Sequence, residues 1–262
     1  MIVKETLNGM LKPKNLDWRS SITQVESNRL TTRGFSQEDL IGNISFPEMV
    51  YLLLRGELPS KKHAKMFEAV MVAFCDHGVT PPSTQSARLM ASAGSPVNAC
   101  IAGGILAFGE NHAGAIENSM KIFQEGVKLT ETYQRSAAET ANFLIEEQLK
   151  RGKKIPGFGH RYHLEDPRAR KLLNVAKQYN CNGKHMELAI EMEKILFHKK
   201  GIKLNIDGAN AAILSDMDFN WRLGCGIFVV GRIPGLLAHI NEELSIEEPF
   251  RKFTELNNYN VS

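Results

Sequence analysis

The stretch KKIPGFGHRYHLEDPRAR, from Lys153 to Arg170, carries more reactive side chains than a packing element requires. It combines a Pro-Gly-x-Gly turn with two histidines, acidic side chains and several cationic ones. Because glycine has no Cβ, the backbone N–H groups at Gly157 and Gly159 can lie close to a ligand. His160 follows at the tip of the predicted turn. We therefore interpret the stretch as an active-site loop.

The end of this stretch predicts the start of a helix. Asp166 is a favoured N-cap residue, and Pro167 is favoured at the first helical position. Arg168 then falls in the first turn, next to the positive end of the helix dipole. The sequence thus predicts that an anionic ligand is held at this helix start.

Two other interpretations of the loop are weaker. The Gly-x-Gly lacks the third glycine of a dinucleotide-binding fingerprint, because Tyr162 occupies that position and no apolar strand precedes the turn. His160 and His163 with Glu165 could be metal ligands, but no second Cys/His cluster in the sequence completes a site. We therefore expect no bound metal.

Helix signals dominate the rest of the chain, and Thr23 to Phe35 is the only segment that suggests a short hairpin. Ser36 and Ser45 each begin a capping pattern, with an acid three residues later. Beyond residue 110, the pattern predicts helices over Ile116 to Phe123 and over Ala137 to Lys150. No βαβ alternation is present, so the predicted fold is mainly α.

The chain of 262 residues, 43% of them hydrophobic, can form one large domain or a large and a small one. We expect a large helical domain from residues 1–151 together with 222–262. Residues 152–221 would form a smaller helical lobe that carries the active-site loop.

The charge and hydropathy of the chain argue against nucleic acid and membrane as partners. The net charge is +3, and the 32 basic and 29 acidic residues are spread along the chain, so no nucleic-acid-binding tail is expected. Leu223 to Ile240 is the most apolar stretch, but Arg232 interrupts it and no membrane span is expected. With no signal-peptide core and four cysteines outside any C-x-x-C pair, we expect a cytoplasmic protein.

Four polar spots interrupt apolar helical stretches: Asp76-His77, His112, His160 and Asp207. A single histidine at a helix end is more often structural, so the hypothesis depends on the combination. Imidazoles and a carboxylate together suit proton transfer at a carbon next to a carbonyl group. An apolar environment around Asp207 would raise its pKa towards working pH.

The segment GFGHRYHLEDPRA resembles the signature of the citrate synthase family, a glycine-flanked histidine followed by Asp-Pro-Arg. Further segments resemble family motifs in the family's order, namely DHG at 76–78, NHAGAIE at 111–117, LNIDG at 204–208 and VGRIPGLLAHINE at 230–242. Ala113 stands where the family motif has a glycine. The resemblance covers roughly Arg29 to Phe253 and implies a citrate synthase-like helical fold.

The resemblance also implies roles for individual residues. His160 would act on the substrate hydroxyl or carbonyl oxygen, His112 would hydrogen-bond the thioester oxygen, and Asp207 would exchange a proton with the acetyl carbon. The implied substrate-binding residues are His77, Arg168, Arg232 and Arg251, and the implied coenzyme A contacts are Pro156, Gly157, Gly159 and Arg161. His239 is interpreted as structural. Coenzyme A would enter as a thioester substrate or product, with no tightly bound cofactor.

The chain is shorter than full citrate synthases and resembles the compact citryl-CoA lyases and the corresponding module of ATP-citrate lyase. The resemblance thus implies cleavage of (3S)-citryl-CoA to acetyl-CoA and oxaloacetate. A citrate synthase activity stays open, since the ATP-citrate lyase module lacks a histidine at the position of His112. A non-catalytic CoA-binding subunit also stays open. The length of the acyl chain is undecided, because no residue lining that end of the pocket can be identified from the sequence.

The apolar, glycine-rich helices predicted over Val97 to Gly109 and Leu223 to Ala238 exceed what one bundle of this length needs. Large exposed apolar faces usually mark an interface. We therefore expect a homodimer or a larger homo-oligomer.

Overall fold

The computed structural model of the chain describes residues 19–159 and 164–250. These residues divide into two compact units, the first ending at Leu58 and the second beginning at Pro59. The larger and smaller lobes expected from the sequence stay a prediction.

The first unit opens with a small antiparallel sheet whose strands follow each other in chain order: β1 (Thr23–Glu26), β2 (Arg29–Thr32) and β3 (Phe35–Ser36). This confirms the predicted hairpin and adds a third short strand. Two helices follow, α1 (Gln37–Leu40) and α2 (Phe46–Arg55).

The two predicted capping patterns have different outcomes. Ser45 and Glu48 form the full capping box at the start of α2, and Gly56 ends that helix in the left-handed conformation. Ser36 makes no side-chain cap, so that prediction was wrong. Ser36 is also the last residue of β3, where it pairs with Thr31, and the sheet fixes its orientation at the start of a helix of a single turn.

The second unit is helical in its described residues: α3 (Lys61–Phe74), α4 (Pro82–Ser92), α5 (Val97–Leu106), α6 (Gly114–Tyr133), α7 (Ala137–Lys150), α8 (Pro167–Gln178), α9 (Lys184–Lys200), α10 (Ile206–Asp216) and, after a 3-10 turn at Trp221–Leu223, α11 (Gly224–Ile246). The predicted mainly α fold is confirmed. Helix α6 is much longer than predicted, because Gly126 does not end it but packs against Leu144 and Leu188.

Helix α10 lies inside this unit. Ile206 and all residues from Gly208 to Ser215 are buried, and the helix packs against α6, α8 and α9. Its small residues, in the run GANAA, permit contact with neighbours on every side. Asp207, in the first turn, is therefore held at the edge of the core.

Helix α11 is long and apolar enough to cross a membrane by length and composition, a test that the core helix of a soluble protein also passes. It packs against α3, α4, α5 and α6. Its buried residues include Arg232 and Glu243, and Glu243 pairs with Arg88 of α4 at 2.6 Å. These contacts are those of a core helix.

Candidate active site

A cavity of about 550 Å³ in the second unit brings together side chains from distant parts of the chain. The sequence-predicted residues in its wall are His77, His112, Gly159, Arg168, Asp207 and Arg232. Pro156 and Gly157 do not line it. His160, Arg161 and Arg251 lie outside the described residues.

The glycine turn is anchored on the segment just before α10. The Gly159 N–H donates to the Lys203 carbonyl (2.8 Å), and the Asn205 N–H donates to the Gly157 carbonyl (3.0 Å). The Asn205 side-chain amide also donates to the Gly159 carbonyl at 2.7 Å. The start of α10 thus fixes the position of the turn.

The two glycines of the turn serve different purposes. Both have left-handed backbones, with φ of 82° at Gly157 and 80° at Gly159. A Cβ at Gly157 would lie 2.6 Å from the Ser119 hydroxyl and 2.7 Å from the Gly208 Cα, so packing as well as φ requires glycine there. Gly159 lines the cavity and is free to approach a ligand.

Asp207 has an environment suited to proton exchange. Asn205 caps α10 through the Gly208 N–H at 3.1 Å, which places Asp207 in the first helical turn. Its carboxyl group lines the cavity, yet the surrounding protein buries it and raises its pKa to about 6. The charges of Arg168 and Arg232 limit this rise, and the Asp166 charge adds to it. The expected elevation of the pKa is confirmed.

Arg168 is held by a buried carboxylate. Its guanidinium donates two hydrogen bonds to Asp166, from Nε (3.1 Å) and Nη2 (3.0 Å). Asp166 also accepts the N–H groups of Arg168 and, at 3.2 Å, of Ile206, so it joins the starts of α8 and α10. Burial raises the pKa of Asp166, but the hydrogen bonds and charge of Arg168 outweigh it and the net pKa is lowered. Arg168 Nη1 lies 3.4 Å from His77 Nδ1.

Arg232 is a buried cation with an unused donor. Its Nε donates to the Phe74 carbonyl at 2.7 Å, and its guanidinium lies 4.8 Å from the Phe228 ring centre. Its Nη1 is buried and has no hydrogen-bond partner among the described residues. Burial lowers the pKa of Arg232, which marks an environment that would gain from an anion.

Two glycines on α11 allow the close helix packing that places Arg232. A Cβ at Gly231 would lie 2.7 Å from the Phe74 Cβ, and one at Gly235 would collide with the Cys75 carbonyl. The two glycines therefore let α11 approach the end of α3 closely enough for Arg232 to reach the Phe74 carbonyl.

His112 is oriented by a partner that the sequence analysis missed. Its Nε2 lies 2.8 Å from the hydroxyl of Ser83, which is fully buried in the first turn of α4. The Phe108 ring packs 4.9 Å from the imidazole, centre to centre. In the sequence, a serine after two prolines indicates only a helix start, so nothing there connected Ser83 with His112.

The loop that carries His77 is fixed by a second histidine. His239 Nε2 lies 2.9 Å from Asp76 Oδ1, and the Gly78 N–H donates to the other Asp76 oxygen at 3.1 Å. His239 does not line the cavity. Burial raises the pKa of Asp76, but the hydrogen bonds from Gly78 and His239 outweigh it and lower the net value.

The cavity therefore combines two guanidinium groups, two imidazoles and a carboxyl group whose pKa is near 6. Planar guanidinium groups bind carboxylates in pairs of hydrogen bonds. A carboxyl group with an elevated pKa can take a proton from carbon or return one. Over residues 19–159 and 164–250, no group of three or more histidine, cysteine and acidic side chains could hold a metal ion.

Comparisons with known proteins identify the family to which the chain belongs. The family model "Citrate synthase, C-terminal domain" matches residues 14–69 and 59–252. Citrate synthase 2 of Bacillus subtilis is 34% identical over 195 residues, which are 72% of this chain and 50% of that protein. The chain spans about half the length of the curated relatives it matches.

Two solved structures are similar over nearly the whole chain. Citryl-CoA lyase from Hydrogenobacter thermophilus is 42% identical with a TM-score of 0.85, and the match covers 94% of this chain and 95% of that one. ATP citrate lyase from Methanothrix soehngenii, solved with citrate and coenzyme A, has a TM-score of 0.82 at 23% identity, over 98% of this chain and 44% of that one. The second likeness shows the shared fold alone.

Proposed function

Because the chain belongs to the citrate synthase family, we propose that it is a citryl-CoA lyase that cleaves (3S)-citryl-CoA to acetyl-CoA and oxaloacetate. The observation that carries the proposal is that Arg232, whose buried Nη1 has no hydrogen-bond partner among the described residues, lines one cavity with Arg168 and Asp207. The 42% identity to the Hydrogenobacter lyase, against 34% to citrate synthase 2 of Bacillus subtilis, supports cleavage rather than the synthase reaction.

Arg168 and Arg232 would hold the carboxylates of the citryl group, with His77 next to Arg168. Asp166 keeps the Arg168 guanidinium in a fixed plane, so little side-chain freedom is lost on binding. Arg251, outside the described residues, is proposed as a further carboxylate ligand from a neighbouring subunit.

We assign the proton transfers to three groups, of which His112 and Asp207 line the cavity. His160 would take the proton of the substrate hydroxyl, the bond between the hydroxyl-bearing carbon and the acyl methylene would break, and the hydroxyl carbon would become the ketone of oxaloacetate. The electron pair would form the enolate of acetyl-CoA, whose oxygen His112 would stabilise. Protonated Asp207 would return a proton to the enolate carbon, giving acetyl-CoA.

The coenzyme A part of the substrate would contact the glycine turn, with Pro156, Gly157, Gly159 and Arg161 as the proposed contacts. Gly159 lines the cavity, which supports its place in this set. We propose no tightly bound cofactor, since the thioester itself brings coenzyme A.

A citrate synthase is the second candidate, favoured by the names of the curated relatives. It would use the same residues in the condensing direction and then hydrolyse the thioester. Mixing the chain with acetyl-CoA and oxaloacetate distinguishes the two, because a synthase releases free thiol in proportion to the oxaloacetate consumed. A lyase consumes oxaloacetate without releasing thiol.

We also propose that the chain forms at least a homodimer in the cytoplasm. Helices α5 and α11 expose several apolar side chains, among them Leu106 at 84% and Ile246 at 74% of their surface. Faces of this kind usually mark an interface.

A further inference from the structure

Ala113 has a backbone conformation that its side chain disfavours. Its φ is 71° and its ψ is −12°, in the left-handed region where a Cβ crowds the backbone and glycine is preferred. The residue directly follows His112 and precedes α6 as its N-cap; it lines the cavity and is 7% exposed. Strain in a non-glycine residue at a functional cavity points to a role for the side chain.

The backbone on either side cannot relax this strain. The Gly109 N–H donates to the His112 carbonyl (2.8 Å), and the His112 and Gly114 N–H groups both donate to the Gly109 carbonyl at 3.0 Å. The imidazole of His112 is in turn fixed 2.8 Å from the Ser83 hydroxyl. The Ala113 methyl group therefore keeps a fixed position relative to the imidazole that would hold the thioester oxygen.

We propose that the Ala113 methyl group sets the size of the acyl group, so that the two-carbon acetyl unit fits and a three-carbon propionyl unit does not. This inference rests on the proposed function, in which the thioester lies against His112. Ala107, Gly109 and Ala115 line this part of the cavity together with the larger Glu110 and Asn111. A methyl group next to the imidazole reduces the space for an acyl group held there, and one methylene in a fitted pocket changes selectivity about 10- to 200-fold.

The test compares the wild-type chain with Ala113→Gly and a matched control, Gln134→Gly. Gln134 ends the same helix α6 in the same left-handed region, with φ of 51°, but it is exposed and does not line the cavity. For each protein, kcat/KM is measured for the cleavage of (3S)-citryl-CoA and of its homologue with a methyl group on the acyl methylene, which would release propionyl-CoA, from the initial rate of oxaloacetate formation. Thermal unfolding of all three proteins is recorded in parallel.

We expect both variants to raise Tm, because each relieves a left-handed backbone. Only Ala113→Gly should raise the propionyl-to-acetyl ratio of kcat/KM, by about tenfold or more. A ratio within twofold of wild type in Ala113→Gly, or a wild type that uses both acyl groups equally, would overturn the inference. A wild-type chain that releases no oxaloacetate from either thioester would overturn the proposed function, and the inference with it.

Discussion

At the residue scale, the elevated pKa of Asp207 comes from its burial in the folded chain, which its sequence motif does not show. A helix N-terminus and two arginines favour the carboxylate form, yet burial outweighs them and the pKa rises to about 6. Near neutral pH both protonation states are then populated. A residue that returns a proton in one direction of a reaction and removes it in the other needs both states.

The elevated pKa of Asp207 should appear in the pH dependence of stability. The folded state binds this proton more tightly than the unfolded chain, whose pKa is near 3.8, so stability falls as pH rises from about 4 to about 6 and stays lower above that. Asp207→Asn removes the effect and should raise the free energy of unfolding near pH 7 by up to about 3 kcal/mol, from a shift of about two pKa units. Urea denaturation of both proteins across this range measures the difference.

The two stability curves should converge near pH 4 and separate up to about pH 6. A difference that is constant with pH would show that the pKa of Asp207 is not elevated. Turnover should fall about a hundredfold or more in the same variant, the usual scale for losing an acid–base group.

At the element scale, Asp166 joins two helix starts to one guanidinium. Asp166→Asn keeps the size of the side chain but removes the negative charge that orients Arg168. Its amide nitrogen would also replace an acceptor oxygen and face N–H donors. We expect a loss of about 1–3 kcal/mol in the free energy of unfolding. We also expect KM for (3S)-citryl-CoA to rise at least tenfold, because Arg168 loses its fixed orientation.

The neighbouring acid provides the control for this prediction. Glu165 pairs with Arg170 and Lys203 at the surface, where ion pairs contribute little. Glu165→Gln should therefore leave KM nearly unchanged, as judged by steady-state kinetics on both variants. Equal effects of the two substitutions would mean that Asp166 has no special part in orienting Arg168.

The sequence could predict the elements but not all of their partners. Asp166-Pro167 and Ser45 with Glu48 are local signals, readable because the hydrogen bonds close within three residues. The bond between Ser83 and His112 spans 29 positions and depends on how α4 packs against the turn before α6. Ser36 and the early end predicted for α6 failed for the same reason, since a sheet and a tightly packed Gly126 overrode local preference.

At the scale of the whole molecule, the exposed apolar side chains of α5 and α11 predict self-association. Light scattering coupled to size-exclusion chromatography should give at least twice the mass of 29.3 kDa for one chain. Replacing Leu106 with Glu should shift the mass towards one chain, because a buried carboxylate at an interface costs more than it gains. A monomeric wild-type chain would contradict the prediction and leave the cavity assignments unaffected.

The cleavage of (3S)-citryl-CoA by the isolated chain tests the central claim most directly, with oxaloacetate followed through a coupled dehydrogenase. Arg232→Ala removes the buried donor that has no partner in the described part of the chain. It is compared with Arg222→Ala, which removes an exposed arginine on the 3-10 turn before the same helix. We predict oxaloacetate and acetyl-CoA in equal amounts from wild type and from Arg222→Ala. Arg232→Ala should lose about a hundredfold or more in kcat/KM, because a substrate carboxylate would be buried without its charge-assisted hydrogen bonds. No product from wild type, or activity in Arg232→Ala within threefold of it, would contradict the account.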